Sequence, residues 1–188
     1  MYNIAQEQPY KDLAHNYSYK NKVYLLDELT LENTSRLMAD ITEMIDYERK
    51  HSHIIEWFIN SPGGSVLVCK SLLSLMKMAN IHNITNITYV IGEASSSASL
   101  IAINGDSRYI LPYANHYIHY GSSGMNSSHP IEARRNYEDD KIFYNWVKSM
   151  YLEHTSIPED KIEALMEHEG GFLYAKDCLK YKFVDYIL

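Results

Sequence analysis

The segment "IIEWFINSPGGSV", residues 54–66, decides how this chain folds. Ile54 to Ser61 are dominated by β-branched and aromatic side chains and predict a buried strand ending in a turn. Pro62-Gly63-Gly64 then permits a tight backbone excursion, since glycine reaches left-handed conformations without a steric penalty. Val66, Leu67, Leu72, Leu73, Leu75 and Met76 follow at a spacing that suits a well-buried helix. A strand that passes through a short glycine turn into a helix is a building unit of α/β sheets, and such turns are where these sheets place ligands. Taken alone, this turn has two readings. It is a plain connection, or a loop whose glycines let a backbone N–H approach a ligand, as an oxyanion hole requires.

The same pattern extends outward. "KVYLL" (22–26) is a short β-rich run, and residues 31–48 place Leu37, Met38, Ile41, Met44 and Ile45 on one helical face. Downstream, "ITYVIG" (87–92) predicts a strand, 96–104 a short and nearly all-apolar helix, and "SRYILP" and "HYIHY" two further strands. This alternation indicates α/β architecture with a largely parallel sheet. The last third differs. Residues 132–153 form a long, charged amphipathic helical pattern, Pro158 breaks it, and two shorter helical stretches lead to the strand-like "FVDYIL".

Composition narrows the function classes. A length of 188 residues suits one domain over 1–188, and 46% hydrophobic with 22% charged residues is ordinary for a soluble globular chain. A net charge of −7 argues against a large nucleic-acid footprint. The apolar runs fall short of a membrane span, and the polar first 20 residues lack a signal-peptide core, so a cytoplasmic protein with no membrane partner is expected. Cys69 and Cys178 lack CxxC spacing and are read as reduced structural thiols. Seventeen tyrosines against four phenylalanines are read as compositional bias. With no HExxH or comparable cluster, neither a metal nor a cofactor is expected.

The chemistry-bearing candidates are a serine cluster and a histidine. "IGEASSSASLIAINGD" (91–106) carries Ser95, Ser96, Ser97 and Ser99 where a strand hands over to a helix. A serine there caps the helix by accepting from its first N–H groups, or acts as a nucleophile whose oxyanion those amides would meet. Alone, the segment fits the cap better. It is also not a G-x-S-x-G elbow, which argues against an α/β-hydrolase. Of nine histidines, His119 is best placed to serve a nucleophile, near the end of "YIHYG". His116, three residues earlier, falls on the opposite strand face. A lone strand histidine is more often structural than catalytic, so each signal is weak by itself.

Their order is not weak. "FINSPGGSV", "GEASSSASLIA" and "ILPYANHYIHYGSSG", together with "KNKVYLLDELTLENTSRLMADI" and "FLYAKDCLKYKFVDYIL", closely resemble the Clp protease proteolytic-subunit family of serine peptidases, over about residues 20–188. The resemblance implies a crotonase-like fold of repeated β-β-α units with a protruding handle, here at about 120–153. It puts the nucleophile on Ser96, the general base on His119, and the oxyanion donors on the backbone N–H groups of Gly64 and Ser97. It also implies a polypeptide substrate, homo-oligomeric rings enclosing the sites, and an AAA+ unfoldase or a Clp-like paralogue as partner.

Three departures stand out. The family's third catalytic residue, an Asp two positions before the Phe of its closing motif, corresponds to Gly170 in "EHEGGFLYA". Glu169 is the leading substitute to orient His119, ahead of a backbone carbonyl or water, or of a broken triad. Tyr120-Gly121 replaces the Gln-Pro that follows the family's base, and the first 20 residues match the family's axial loop poorly. The sequence thus favours a serine endopeptidase subunit that needs no ATP of its own, over a degenerate ring subunit acting as scaffold or peptide binder. A third possibility from the superfold, an acyl-CoA enzyme, needs a basic nucleotide site that the sequence does not display.

Overall fold

The computed structural model describes residues 16–121, 130–167 and 170–188. Six helices pack against an eight-stranded mixed sheet among these residues. The chain opens with the antiparallel strands β1 (Tyr17–Tyr19) and β2 (Lys22–Leu25). Helix α1 (Leu31–Glu48) follows, begun by Thr30, whose hydroxyl accepts from the Asn33 N–H at 3.0 Å. Strand β3 (Ile54–Ser61) coincides with the predicted strand and leads into α2 (Val66–Ile81), while β4 (Thr85–Ser95) leads into α3 (Ser97–Ile103). Strands β5 (Ser107–Ile110) and β6 (Asn115–Ile118) precede the long α4 (Pro130–His154), which proline opens at its first position. The chain closes with α5 (Glu159–Glu167), β7 (Gly171–Tyr174), α6 (Ala175–Lys180) and β8 (Tyr186–Ile187).

The sheet order is β1-β2-β3-β4-β5-β8, and it forks at β4. The lower half of β4 pairs with β5 through Ile87 to Val90, and its upper half pairs in parallel with β6 through Glu93 to Ser95. A bulge creates the fork. Between the pairs Ile59↔Val90 and Ser61↔Ala94, β3 advances two residues while β4 advances four. The Asn60 amide fills the gap, Oδ1 accepting from the Glu93 N–H at 2.9 Å. Gly92 stands there because a Cβ would strike that same Asn60 oxygen.

The core lies between one sheet face and the helices. Val23, Leu25, Ile55, Trp57, Ile59 and Val90 point into it, against Leu37, Ile41, Leu72 and Met76. Two expectations need correction. Helix α2 is amphipathic rather than buried all round, with Leu67 at its first turn 71% exposed. The strands alternate buried and half-buried positions, so only one sheet face is fully covered. On the other face Tyr17, Tyr24, Phe58, Tyr89, Tyr109 and Tyr186 are register partners across six strands. They stack at centroid distances from 4.7 to 5.2 Å. Compositional bias therefore does not account for all the tyrosines, because five of the seventeen build this row. Strands β1 and β7 also escaped the sequence patterning, each being shorter than one clear period of alternation. Cys69 and Cys178 are buried and free, as expected. Among the described residues no helix is long and apolar enough to cross a membrane.

His116 on β6 is fully buried, with Nδ1 2.8 Å from Ser99 Oγ and its ring edge-on to Phe183 at 5.2 Å. Burial first, and the Arg108 charge second, push its pKa from 6.5 down to about 3. Between those values the unfolded chain binds a proton that the folded chain refuses. This contribution to stability is therefore complete above about pH 6.5 and is lost as the pH falls toward 3. Urea titrations of the wild type should show stability falling over that window, by up to about 1.4 kcal/mol per pH unit from this group. His116→Asn should be less stable at neutral pH and show a flatter slope.

Candidate active site

The site forms where β4 and β6 end side by side. Their parallel register pairs Ala94 with His116 and Ser95 with Tyr117, so the next residues, Ser96 and then His119, emerge from the same edge of the sheet. The Ser96 N–H donates to the Tyr117 carbonyl at 2.9 Å and locks the two strand ends together. Ser96 itself has φ 52° and ψ −123°, a conformation rare for any residue but glycine. Such strain costs on the order of 1–3 kcal/mol and persists only where the surroundings impose it.

The glycine turn imposes it. Gly63 has φ +85°, and a Cβ there would lie 2.5 Å from the Ser95 oxygen, 2.9 Å from Ser96 Cβ and 3.0 Å from the Ser97 nitrogen. Gly64 has φ +141°, and a Cβ there would lie 2.8 and 2.9 Å from the Leu29 backbone. The turn is held from both sides. Gly63 N–H donates to Ser61 Oγ at 3.1 Å, and Ser97 Oγ donates to the Gly64 carbonyl at 2.9 Å. The second bond brings the Gly64 and Ser97 backbones together beside Ser96. Among the described residues, neither of their N–H groups donates to a protein acceptor.

The four serines divide by what their hydroxyls do. Ser95 Oγ bonds the Glu93 carboxylate, Ser97 Oγ the Gly64 carbonyl, and Ser99 Oγ the His116 ring. Ser96 occupies the cap position of α3, yet its side chain makes no capping bond. Among the described residues its hydroxyl has no hydrogen-bond partner. The helix-cap reading that the isolated segment favours is therefore not what the fold uses.

Ser96, Ser97, Gly64 and His119 line one cavity of about 320 Å³, closed on its far side by α4. Leu100, Phe143, Trp146, Val147 and Tyr151 supply its apolar walls. A larger, more open groove of about 680 Å³ lies elsewhere, around the Arg108–Asp185 ion pair. It holds none of the candidate residues, so size does not identify the site here. Among the described residues no group of three or more His, Cys, Asp and Glu is placed to hold a metal.

The third position has a structural explanation. The antiparallel register of β6 and β7 pairs Ile118 with Gly171, and one step further Gly170 faces His119. Gly170 has φ +95°, and a Cβ there would lie 2.9 Å from His119 Cβ and collide with the Tyr117 hydroxyl. An aspartate has no room at Gly170 on this backbone. Glu169 lies outside the described residues, as does the handle segment 122–129. Among the described residues no hydrogen bond engages the His119 ring.

Several contributors escaped sequence reasoning. Asn60 carries no chemical signature, and only the fork reveals its task. Tyr120, noted as a departure, packs its ring against Phe143 and Tyr144 and donates to the Asp140 carbonyl at 2.9 Å. Asp139, Asp140 and Trp146 looked like the solvated face of a charged helix, but line the cavity.

A mixed sheet forking at a strained strand-to-helix serine, with a handle helix across the cavity, defines an α/β protein of the crotonase-like fold. The family model described as Clp protease matches residues 5–188, and the chain belongs to the Clp protease family. An ATP-dependent Clp protease proteolytic subunit of Bigelowiella natans is 30% identical over 175 residues, 90% of this chain and 85% of that protein. Proteolytic subunit 2 of Thermobifida fusca (strain YX) is 27% identical over 192 residues, 99% and 89% of the two chains. Proteolytic subunit 1 of Mycobacterium tuberculosis (strain ATCC 25618 / H37Rv) is 28% identical over 168 residues, 88% and 80%.

Because Gly63 shapes the turn, Gly63→Ala should displace Ser96 by a fraction of an ångström. The rate at which a fluorophosphonate labels Ser96 should drop by roughly 10²-fold, measured by intact-mass spectrometry on protein that keeps its circular dichroism.

Proposed function

We propose that this chain is a serine endopeptidase subunit that hydrolyses unfolded polypeptides or peptides within an oligomeric ring. One observation carries the reading: of four clustered serines, Ser96 alone has an uncommitted hydroxyl, in a strained turn that shares a cavity with His119. Ser96 Oγ attacks the scissile carbonyl carbon as His119 takes its proton. The carbonyl electron pair moves to oxygen, where the N–H groups of Gly64 and Ser97 donate to it, each worth roughly 3–4 kcal/mol at the transition state. The C–N bond then breaks, and His119 passes its proton to the leaving amine. Water, activated by His119, attacks the resulting ester, releasing a carboxylate and restoring Ser96. Glu169 orients the His119 ring. The hydrolysis itself uses no nucleotide, metal or cofactor. An unfoldase of the AAA+ class or a Clp-like paralogue delivers or completes the particle. The partly open aromatic row across the sheet supports self-association into rings.

A second reading has its own observation. With glycine at the position facing His119, the chain is instead a degenerate ring subunit that scaffolds an active paralogue or binds peptides uncut. In the serine-protease template, loss of the orienting carboxylate costs about 10⁴ in turnover. The two readings separate cleanly. Wild type should be labelled by a fluorophosphonate and cleave a quenched unfolded protein, and Ser96→Ala should lose both. Glu169→Gln should keep the labelled serine but slow turnover by 10²-fold or more, on the order of the orienting effect. No labelling of wild type, together with co-purification of a Clp-like paralogue, establishes the scaffold instead.

A further inference from the structure

The cavity beside Ser96 is not uniformly apolar. One face of α4 runs along it, and its character changes with position. Val147 and Tyr151 are buried at the inner end, Phe143 and Trp146 form a stacked aromatic wall at 5.9 Å, and Asp139 and Asp140 stand at the outer end. Helical spacing of three and four residues puts all of them on one stripe. The lining therefore joins an apolar channel to two carboxylates and, among the described residues, contains no lysine or arginine.

Three facts keep those carboxylates available. Among the described residues no ion pair engages Asp139 or Asp140. Lys70 sits over the Trp146 ring at 4.7 Å and is not part of the lining. Tyr120, which lines the cavity, has its hydroxyl pKa raised by burial and then by the Asp140 charge, so that charge acts on the cavity side of the helix. The chain as a whole is acidic, at −7, and no described residue of the lining reverses that sign.

We propose that this cavity selects a lysine or arginine side chain on the residue whose carbonyl Ser96 attacks. The aliphatic stem lies along Phe143 and Trp146, and the cationic head reaches Asp140 and Asp139. Long basic side chains match such a site because they bury a methylene stem while keeping the charge at a polar rim. A glutamate on the same residue meets two like charges and is rejected, so the carboxylates exclude as well as attract. The bond broken is the peptide bond on the carbonyl side of the basic residue, with water supplying hydroxyl to the acyl part and a proton to the amine. This inference rests on the peptidase reading for turnover but not for binding.

The test uses the full chain and one peptide scaffold carrying Arg, Lys, Leu, Tyr or Glu at the selected position. Binding of fluorescein-labelled peptides to Ser96→Ala is read by polarisation, and turnover of aminocoumarin peptides by wild type. Arg and Lys should exceed Leu and Tyr by about fivefold and Glu by more, a margin that shrinks as salt rises. The Asp139→Asn, Asp140→Asn double variant, altered only at exposed and half-buried positions, should bring Arg and Leu within about twofold. Leu or Tyr bound or cleaved best by the wild-type cavity, or an unchanged Arg preference in the double variant, overturns the inference. Cleavage after leucine alone leaves the peptidase reading standing without it. Arginine-selective binding to Ser96→Ala with no turnover by wild type removes the peptidase reading and keeps the charge selection.

Discussion

Everything at this site depends on the parallel pairing of two strand ends. The upper half of β4 must leave β5 and run beside β6, because only that pairing brings Ser96 and His119 to the same edge. Parallel neighbours advance in the same direction, so their C-terminal ends coincide, and the residues just beyond them converge. At the fork Asn60 places a side-chain carbonyl on the Glu93 N–H where the β3 backbone no longer reaches. The Ser96 N–H bond to Tyr117 then fixes the end of β4, and the turn at Gly63 holds Ser96 in its strained conformation from the other side. Strain, bulge and glycine turn are one construction.

Much of this was legible in the sequence, for reasons that can be assigned. β3 begins and ends where "IIEWFINS" does, because β-branched and aromatic residues fill it and a Pro-Gly-Gly turn stops it. α1 and α2 were equally plain from their helical spacing. Ser96 could be chosen only through the order of three motifs, since a capping serine and a strained serine look alike in sequence. What distinguishes them is a backbone angle set by Gly63, more than thirty residues away along the chain. The β7 strand stayed hidden because "GFLY" has one fully buried side chain and no alternation to read. The acidic part of the cavity stayed hidden for the opposite reason. In α4, charged residues at helical spacing describe a solvated face unless a second element lies across them, and a sequence does not state what lies across.

The glycine at position 170 shows how one residue shapes the local geometry beside His119. A left-handed glycine lets β7 approach β6 so closely that no side chain fits between Gly170 and His119. The family's aspartate cannot simply be restored there, since its Cβ would meet His119 Cβ at 2.9 Å and the Tyr117 ring still closer. A side chain that orients the imidazole does not come from position 170 itself. The nearest acidic residue in the chain, Glu169, carries one more methylene than aspartate and so has the longer reach. Glycine next to glycine, Gly170-Gly171, gives the backbone there unusual latitude. Close approach of the strand and the absence of an acid at position 170 thus go together.

The open sheet face follows from a different constraint. Parallel sheets in α/β proteins are normally covered on both sides, and this one is covered on one. Six aromatic residues in a single register line occupy the other side, each ring stacked on the next across a hydrogen-bonded strand pair. Cross-strand aromatic pairs contribute roughly 0.2–1 kcal/mol each, so the row ties together β1, β2, β3, β4, β5 and β8 without a helix above them. Tyrosine suits that position because its ring packs on its neighbours while its hydroxyl can meet a polar partner. The row crosses β4 at Tyr89, on the same strand that ends at Ser95 and delivers Ser96. The aromatic row packs on the lower half of β4, and the upper half pairs with β6. The bulge at Gly92 is the hinge between them, which is why a residue with no side chain and an asparagine with a spare carbonyl meet at that point.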